Sequence, residues 1–162
     1  MAPSAAVRLC SGSQAGVQIS AAAFSRCAGG TTANGGDYAR ASDPWVTIAP
    51  NGDVYVVALA VNAFAGPATA SAILASRSAD GGLTWSDPVA LTREPIAGGF
   101  NDKPTITADP LDARYVYVVW DRDFLADQTA SGMVEAPTYF TRTTDGGRTW
   151  EPPRVIYAAP GA

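Results

Sequence analysis

The sequence predicts an all-β protein built from a repeated four-stranded antiparallel unit. Three observations carry that expectation. A ten-residue segment returns later in the chain at a constant offset, and eight short extended pieces are separated by turn residues. The composition combines 47% hydrophobic residues with 16 Gly and 12 Pro in 162 residues. That mixture suits short strands joined by tight turns and disfavours long helices or disorder. No stretch holds a helical period, and Ser20 to Phe24 is too short to count.

The repeat sets the organisation. Ser76-Arg77-Ser78-Ala79-Asp80-Gly81-Gly82-Leu83-Thr84-Trp85 returns as Thr141-Arg142-Thr143-Thr144-Asp145-Gly146-Gly147-Arg148-Thr149-Trp150, an offset of 65, and Pro88 returns as Pro153. Upstream, Pro44 and Pro50 return as Pro104 and Pro110 at offset 60, and Val54-Tyr55-Val56 as Val116-Tyr117-Val118 at offset 62. The offset grows in steps, so the added residues fall into turns.

Taken in order, residues 1–40 form an N-terminal segment in which Val17 to Phe24 is the expected outer strand of an incomplete unit. The first full unit, 41–92, has strands at Trp45 to Ala49, Val54 to Ala60, Ala72 to Ser78 and Pro88 to Thr92, each rich in β-branched or aromatic residues and bounded by Gly, Pro, Asn or Asp. The second unit, 101–157, has strands at Thr105 to Ala108, Arg114 to Trp120, Thr138 to Thr143 and Arg154 to Ala158. The second strand of each unit is almost continuously apolar, which predicts cover on both faces.

The repeated turn explains its own residue types. Asp80 and Asp145 each accept backbone N–H groups that follow them, Gly82 and Gly147 take positive-φ positions, and Ser78 or Thr143 leads into the turn. Thr84 and Thr149 continue into the next segment, and Trp85 and Trp150 fold an indole against neighbouring strands. Arg77 and Arg142 share one register before the turns, which points to a structural role.

The Ser/Thr-x-Asp-x-Gly-x-Thr-Trp segments resemble the Asp-box, or bacterial neuraminidase (BNR), repeats of the sialidase-like β-propellers. Ser42-Asp43-Pro44-Trp45-Val46 and Asn101-Asp102-Lys103-Pro104 are similar to the openings of inner strands in that family. The resemblance covers roughly residues 41 to 157. It implies a partial β-propeller of the sialidase type, with about two four-stranded blades and a strand of a preceding one. It also implies a secreted glycosidase scaffold of the exo-α-sialidase (neuraminidase) type, a hydrolase. Sialidases grip the substrate carboxylate with an arginine cluster and use a Tyr–Glu pair and an Asp for catalysis. The Phe/Tyr-Arg-Ile-Pro motif of that family is absent from this chain, with Asp43-Pro44 and Lys103-Pro104 standing at the corresponding places. No catalytic residue is therefore carried over. The alternative is a non-catalytic Asp-box segment that binds a glycan or a protein.

In propeller topology one face collects the loops Gly29 to Asp43, Ala60 to Ser71, Arg93 to Lys103 and Asp121 to Pro137. Long loops on a rigid scaffold are where function concentrates. The candidate ligand-face residues are Arg40, Asp43, Asp102, Lys103, Asp121, Arg122 and Asp123, with Asp37, Tyr38, Arg93, Glu94, Asp127 and Glu135 around them. Asp43 and Asp102 also fit turn-capping roles, and Arg122 also fits a salt bridge within its own loop.

Other classes fall away. The net charge is −4, from 11 basic and 15 acidic residues, so no nucleic-acid footprint is present. There is no histidine and there are only two cysteines, which removes Ser-His-Asp and Cys-His triads and the usual zinc motifs. No metal and no cofactor are expected. The longest apolar run, Val54 to Val61, is far short of the roughly 20 residues of a membrane helix, and Met1 to Cys10 has no secretory apolar core. Cys10 and Cys27 fit both a disulfide and two free thiols, so the compartment stays open. A propeller needs roughly 4 to 8 blades. The expectation is therefore a fragment of a longer protein, a ring-closing subunit or a small open β array, and open blade edges of this kind invite self-association.

Overall fold

The computed structural model describes residues 22–62, 70–95, 99–124, 132 and 135–158. The fold is all-β, and the described residues form eight strands: β1 (Arg40–Ile48), β2 (Val54–Val61), β3 (Ala70–Ser78), β4 (Val89–Pro95), β5 (Phe100–Ala108), β6 (Val116–Asp123), β7 (Thr138–Thr143) and β8 (Arg154–Tyr157). They form two antiparallel four-stranded sheets in chain order, β1-β2-β3-β4 and β5-β6-β7-β8. Among the described residues the sole helical element is a single 3-10 turn, Arg26–Ala28, and no helix is long and apolar enough to cross a membrane.

The sheets stack face to face. Tyr55, Val57, Leu59, Ile73, Ala75 and Leu91 form the front of sheet one, and they meet Ile106, Ala108, Val116, Val118 and Trp120 on the back of sheet two. Ile106, Val116 and Val118 are almost wholly buried, each contributing roughly 1.5–3 kcal/mol by leaving water. Thr47 Oγ1 accepts a 3.0 Å hydrogen bond from the Ala108 amide, tying the first strands of the two sheets together. The back of sheet one, with Val56, Ala58, Ala60, Ala72 and Leu74, packs against Ala22, Phe24 and Tyr38, with Trp85 at the margin.

Cover on both faces, expected of both second strands, holds only for β2, which is buried from Tyr55 to Val61. In β6, burial alternates residue by residue from Val116 to Asp121, the signature of a strand with one packed face. Strand limits also differ from the sequence reading. Prolines 44 and 104 suggested that the first strands begin beyond them, yet β1 starts at Arg40 and β5 at Phe100, each running through its proline with a register shift. Likewise β6 continues to Asp123 and β4 to Pro95, so residues expected in loops stand in strands. Ala22 to Phe24 do not form the expected outer strand, and residues 17–21 of that segment lie outside the described residues. Cys27 is disulfide-bonded, and Cys10 lies outside the described residues.

Candidate functional site

Two backbone distortions at one repeat register position the charged residues. Register shifts fall between Ser42 and Trp45 in β1 and between Asp102 and Thr105 in β5. Within them Asp43 (φ 51) and Lys103 (φ 53) are the non-glycine residues with left-handed backbone. A proline follows each: it has no N–H for the ladder, and its ring disfavours the right-handed helical region at the preceding residue. The left-handed region costs Asp43 and Lys103 roughly 1–2 kcal/mol each. Strain of this kind persists where the surrounding structure enforces it, and it concentrates at functional sites.

Charge gathers around Lys103. Its Nζ donates to Asp102 Oδ2 at 2.8 Å, and its backbone N–H donates to Asp102 Oδ1 at 2.9 Å. The Asp102 hydrogen bond and charge, with Asp43 and Asp123 further off, push the ammonium pKa up. Asp102 lies opposite Asp121 in the β5–β6 register, and Asp121 accepts a 2.8 Å hydrogen bond from Thr138 Oγ1. Asp123 follows on the same side of β6. Its pKa is raised, first by burial and then by the carboxylates of Asp102 and Asp121, against a smaller opposing pull from Lys103. Asp43 accepts from Ser42 Oγ at 3.0 Å, and Arg40 opens β1 opposite Val61.

The run Asp121-Arg122-Asp123 is split by strand alternation. Arg122 points between the sheets, with its side chain 12% exposed. Its guanidinium donates to Asn101 Oδ1 (3.1 Å), Thr92 Oγ1 (2.8 Å) and Glu94 Oε1 (3.3 Å), and lies 4.5 Å from the centroid of the Tyr139 ring. The Trp120 indole also donates to Asn101 Oδ1 at 3.0 Å, while Asn101 Nδ2 donates to Ser71 Oγ at 3.0 Å. Arg122 thus joins sheet two to β4, and among the described residues its ion pair is with Glu94. Asn101, Ser71 and Thr92, all buried, were not singled out in the sequence. A period-2 count back from the exposed Lys103 places Asn101 outward as well; the register shift between Asp102 and Thr105 breaks the alternation and turns it inward.

Neighbouring expectations also move. Tyr38 is fully buried under the Arg93 guanidinium, and Asp37 pairs with Arg26 at 2.8 Å. Glu135 bridges to Phe124 through backbone hydrogen bonds, and Asp127 lies outside the described residues. Among the described residues no group of three acidic or cysteine side chains is arranged to hold a metal ion.

The repeated turns lie at the opposite end of the strands and share one hydrogen-bond network. Ser78 Oγ donates to Asp80 Oδ1 (2.7 Å) and accepts from the Gly82 amide (2.8 Å), while Asp80 accepts from the Leu83 and Thr84 amides and from Thr84 Oγ1 (2.6 Å). Thr143, Asp145, Gly147, Arg148 and Thr149 repeat it, with Thr149 Oγ1 at 2.6 Å from Asp145 Oδ2. In each, the threonine hydrogen bonds lead the causes that hold the aspartate pKa down at about 2. Trp150 packs against the core between the sheets. Arg77 and Arg142 share a register but differ in partner, Asp53 (2.8 Å) and Glu151 (2.7 Å).

No protein-family model and no curated protein matches the chain. Among solved structures, one similar chain is a protein of unknown function from Dyadobacter fermentans, with a TM-score of 0.48 and 20% sequence identity. The match covers 70% of this chain and 35% of that one, so the chain spans about a third of the neighbour's length.

Proposed function

We propose that the two sheets are Asp-box blades of a sialidase-like β-propeller, and that their loop end binds a glycan. The observation that carries this reading is the pair of left-handed bulges at Asp43 and Lys103, which present Asp43, Asp102, Lys103, Asp121 and Asp123 at one end of the strands. Carboxylates accept hydrogen bonds from sugar hydroxyls, and an ammonium donates to ring and hydroxyl oxygens. Trp45, two residues beyond Asp43 and 53% exposed, adds an apolar ring face of the kind a pyranose stacks on. The sign of the charge favours neutral sugars. Three carboxylates, Asp102, Asp43 and Asp123, act on one lysine, a fourth, Asp121, lies opposite Asp102, and Arg122, the best-placed guanidinium, is committed to Glu94 and Thr92.

Calorimetric titration with neutral oligosaccharides and with sialyllactose tests the proposal. Neutral glycans are expected to bind, with a loss of at least tenfold in Asp102→Asn and Lys103→Ala. Absence of binding to any glycan, or binding indifferent to both substitutions, overturns it.

Glycoside hydrolysis is the second reading, and the raised pKa of Asp123 favours it, because an acid/base carboxyl must hold its proton near working pH. Release of methylumbelliferone from sialoside and neutral glycoside substrates, abolished in Asp123→Asn, would support it. No release from either class excludes it.

A further inference from the structure

The repeat provides an internal standard for which surfaces are meant to be covered. Val46 and Ile48 on the back of β1 correspond to Ile106 and Ala108 on the back of β5. The β5 residues are 1% and 7% exposed beneath sheet one, whereas Val46 and Ile48 are 55% and 68% exposed. On the front faces the asymmetry reverses. Tyr55 and Val57 are buried beneath sheet two, while their equivalents Tyr117 and Val119 are only half-buried.

The open back face is a shaped groove. The segment 22–38 covers the side of sheet one over β2, β3 and β4, reaching Pro88 at Gly35, and leaves the β1 side open. Between them runs an apolar cleft of about 310 Å³ lined by Phe24, Pro44, Val46, Val56, Ala58 and Trp85. At the equivalent place on sheet two, the front of β1 and β2 fills the space with Thr47, Tyr55 and Val57. The matching residues on the exposed front of sheet two are Thr107, Tyr117 and Val119, with Thr107 opposite Tyr117 in the ladder.

We propose that copies of this chain dock head to tail, the β5–β6 front face of one copy seating in the β1–β2 groove of the next. The contact repeats between molecules the sheet-on-sheet packing already present within one. It is heterologous, so it propagates into a ring or a short filament and does not stop at a symmetric pair. The proposal rests on the stacking of the two sheets and is independent of glycan binding.

Sedimentation velocity over a hundredfold concentration range, with two groove variants (Val46→Glu, Ile48→Glu) and two front-face variants (Val119→Glu, Thr107→Glu), tests it. Val46, Ile48 and Thr107 are exposed in the single chain, so folding is expected to survive, and circular dichroism checks it. The wild type is expected to associate with rising concentration, and each variant alone to shift its midpoint at least tenfold towards monomer. A mixture of Val46→Glu and Thr107→Glu, which together retain one intact groove and one intact front face, is expected to give a dimer that grows no further. A wild type that stays monomeric overturns the proposal, leaving residues 1–21 or another protein to occupy the groove. An association that persists in all four variants, or a mixture that stays monomeric, overturns it equally.

Discussion

The ring of Tyr55 stands where Gly147 would carry a β-carbon: such an atom would lie 2.9 Å from Tyr55 Cε1. Tyr55 belongs to sheet one and Gly147 to the second Asp-box turn, so the turn is seated on the opposite sheet by the absence of a side chain. Gly147 also has φ 81. Two physical demands, close approach and left-handed backbone, fall on one residue.

Gly147→Ala is expected to destabilise the fold by about 2–4 kcal/mol, adding a left-handed penalty to overpacking against a fixed ring. Gly81→Ala, at φ 73 with open space around the added carbon, is expected to cost about 1–2 kcal/mol. Urea unfolding of both variants checks the order; equal losses would mean that the Tyr55 contact contributes nothing.

Acid should weaken the fold through the turn aspartates. In the folded chain the Asp80 and Asp145 pKa values are held at about 2, below the ordinary 3.8. Their contribution is therefore complete above the unfolded value and is lost as pH falls through about 4 towards 2. Asp80→Asn and Asp145→Asn should each flatten the stability profile in that window, as measured by unfolding midpoints at successive pH values.

Asp123 has the opposite sign. Its folded pKa is raised, by burial first and by Asp102 and Asp121 next, so its effect on stability grows more unfavourable as pH rises from the unfolded value towards the folded one. Carbon-detected titration of the Asp123 carboxyl should place it above the ordinary carboxylate value. Asp102→Asn should move it down and Lys103→Ala up.

Removing strain should separate stability from binding. Lys103→Gly relieves the left-handed backbone and loses an exposed, solvent-screened ion pair, while Gly adds chain entropy of about 0.5–1 kcal/mol. Stability is expected to change by no more than about 1 kcal/mol, with glycan affinity down at least tenfold. A large loss of stability with binding intact would make the bulge purely architectural.

Arg122 should behave as a structural residue. Arg122→Met is expected to lose about 1.5–3 kcal/mol, the range for hydrogen bonds to a charged group, because Thr92 and Glu94 lose their inter-sheet partner. Double-mutant cycles with Thr92→Val should show coupling between the sheets.

The legible parts of the molecule were local. The Asp-box turns depend on contacts within about four residues, and the order of residue types encodes them: an aspartate to accept amides, glycines for left-handed backbone, a threonine to close the ring of hydrogen bonds. β7 and β8 likewise stood out by their β-branched and aromatic runs. The candidate site was legible as a set of charges and not as an arrangement. Asp43-Pro44 and Lys103-Pro104 looked like strand openings because proline usually marks an edge, whereas both strands pass through with a bulge.

What the amino-acid sequence determined by itself was the repeat, the turn chemistry and the all-β class, since each follows from short-range sterics and hydrogen bonding. Tertiary structure alone decided which side of each strand a residue serves. Arg122 lies between sheets because a one-residue step reverses direction in a strand, and its partners Thr92 and Glu94 sit some thirty residues earlier. The same holds for Val46 and Ile106, equal in the repeat and opposite in exposure. Burial depends on which sheet lies across the gap, and no local pattern carries that information.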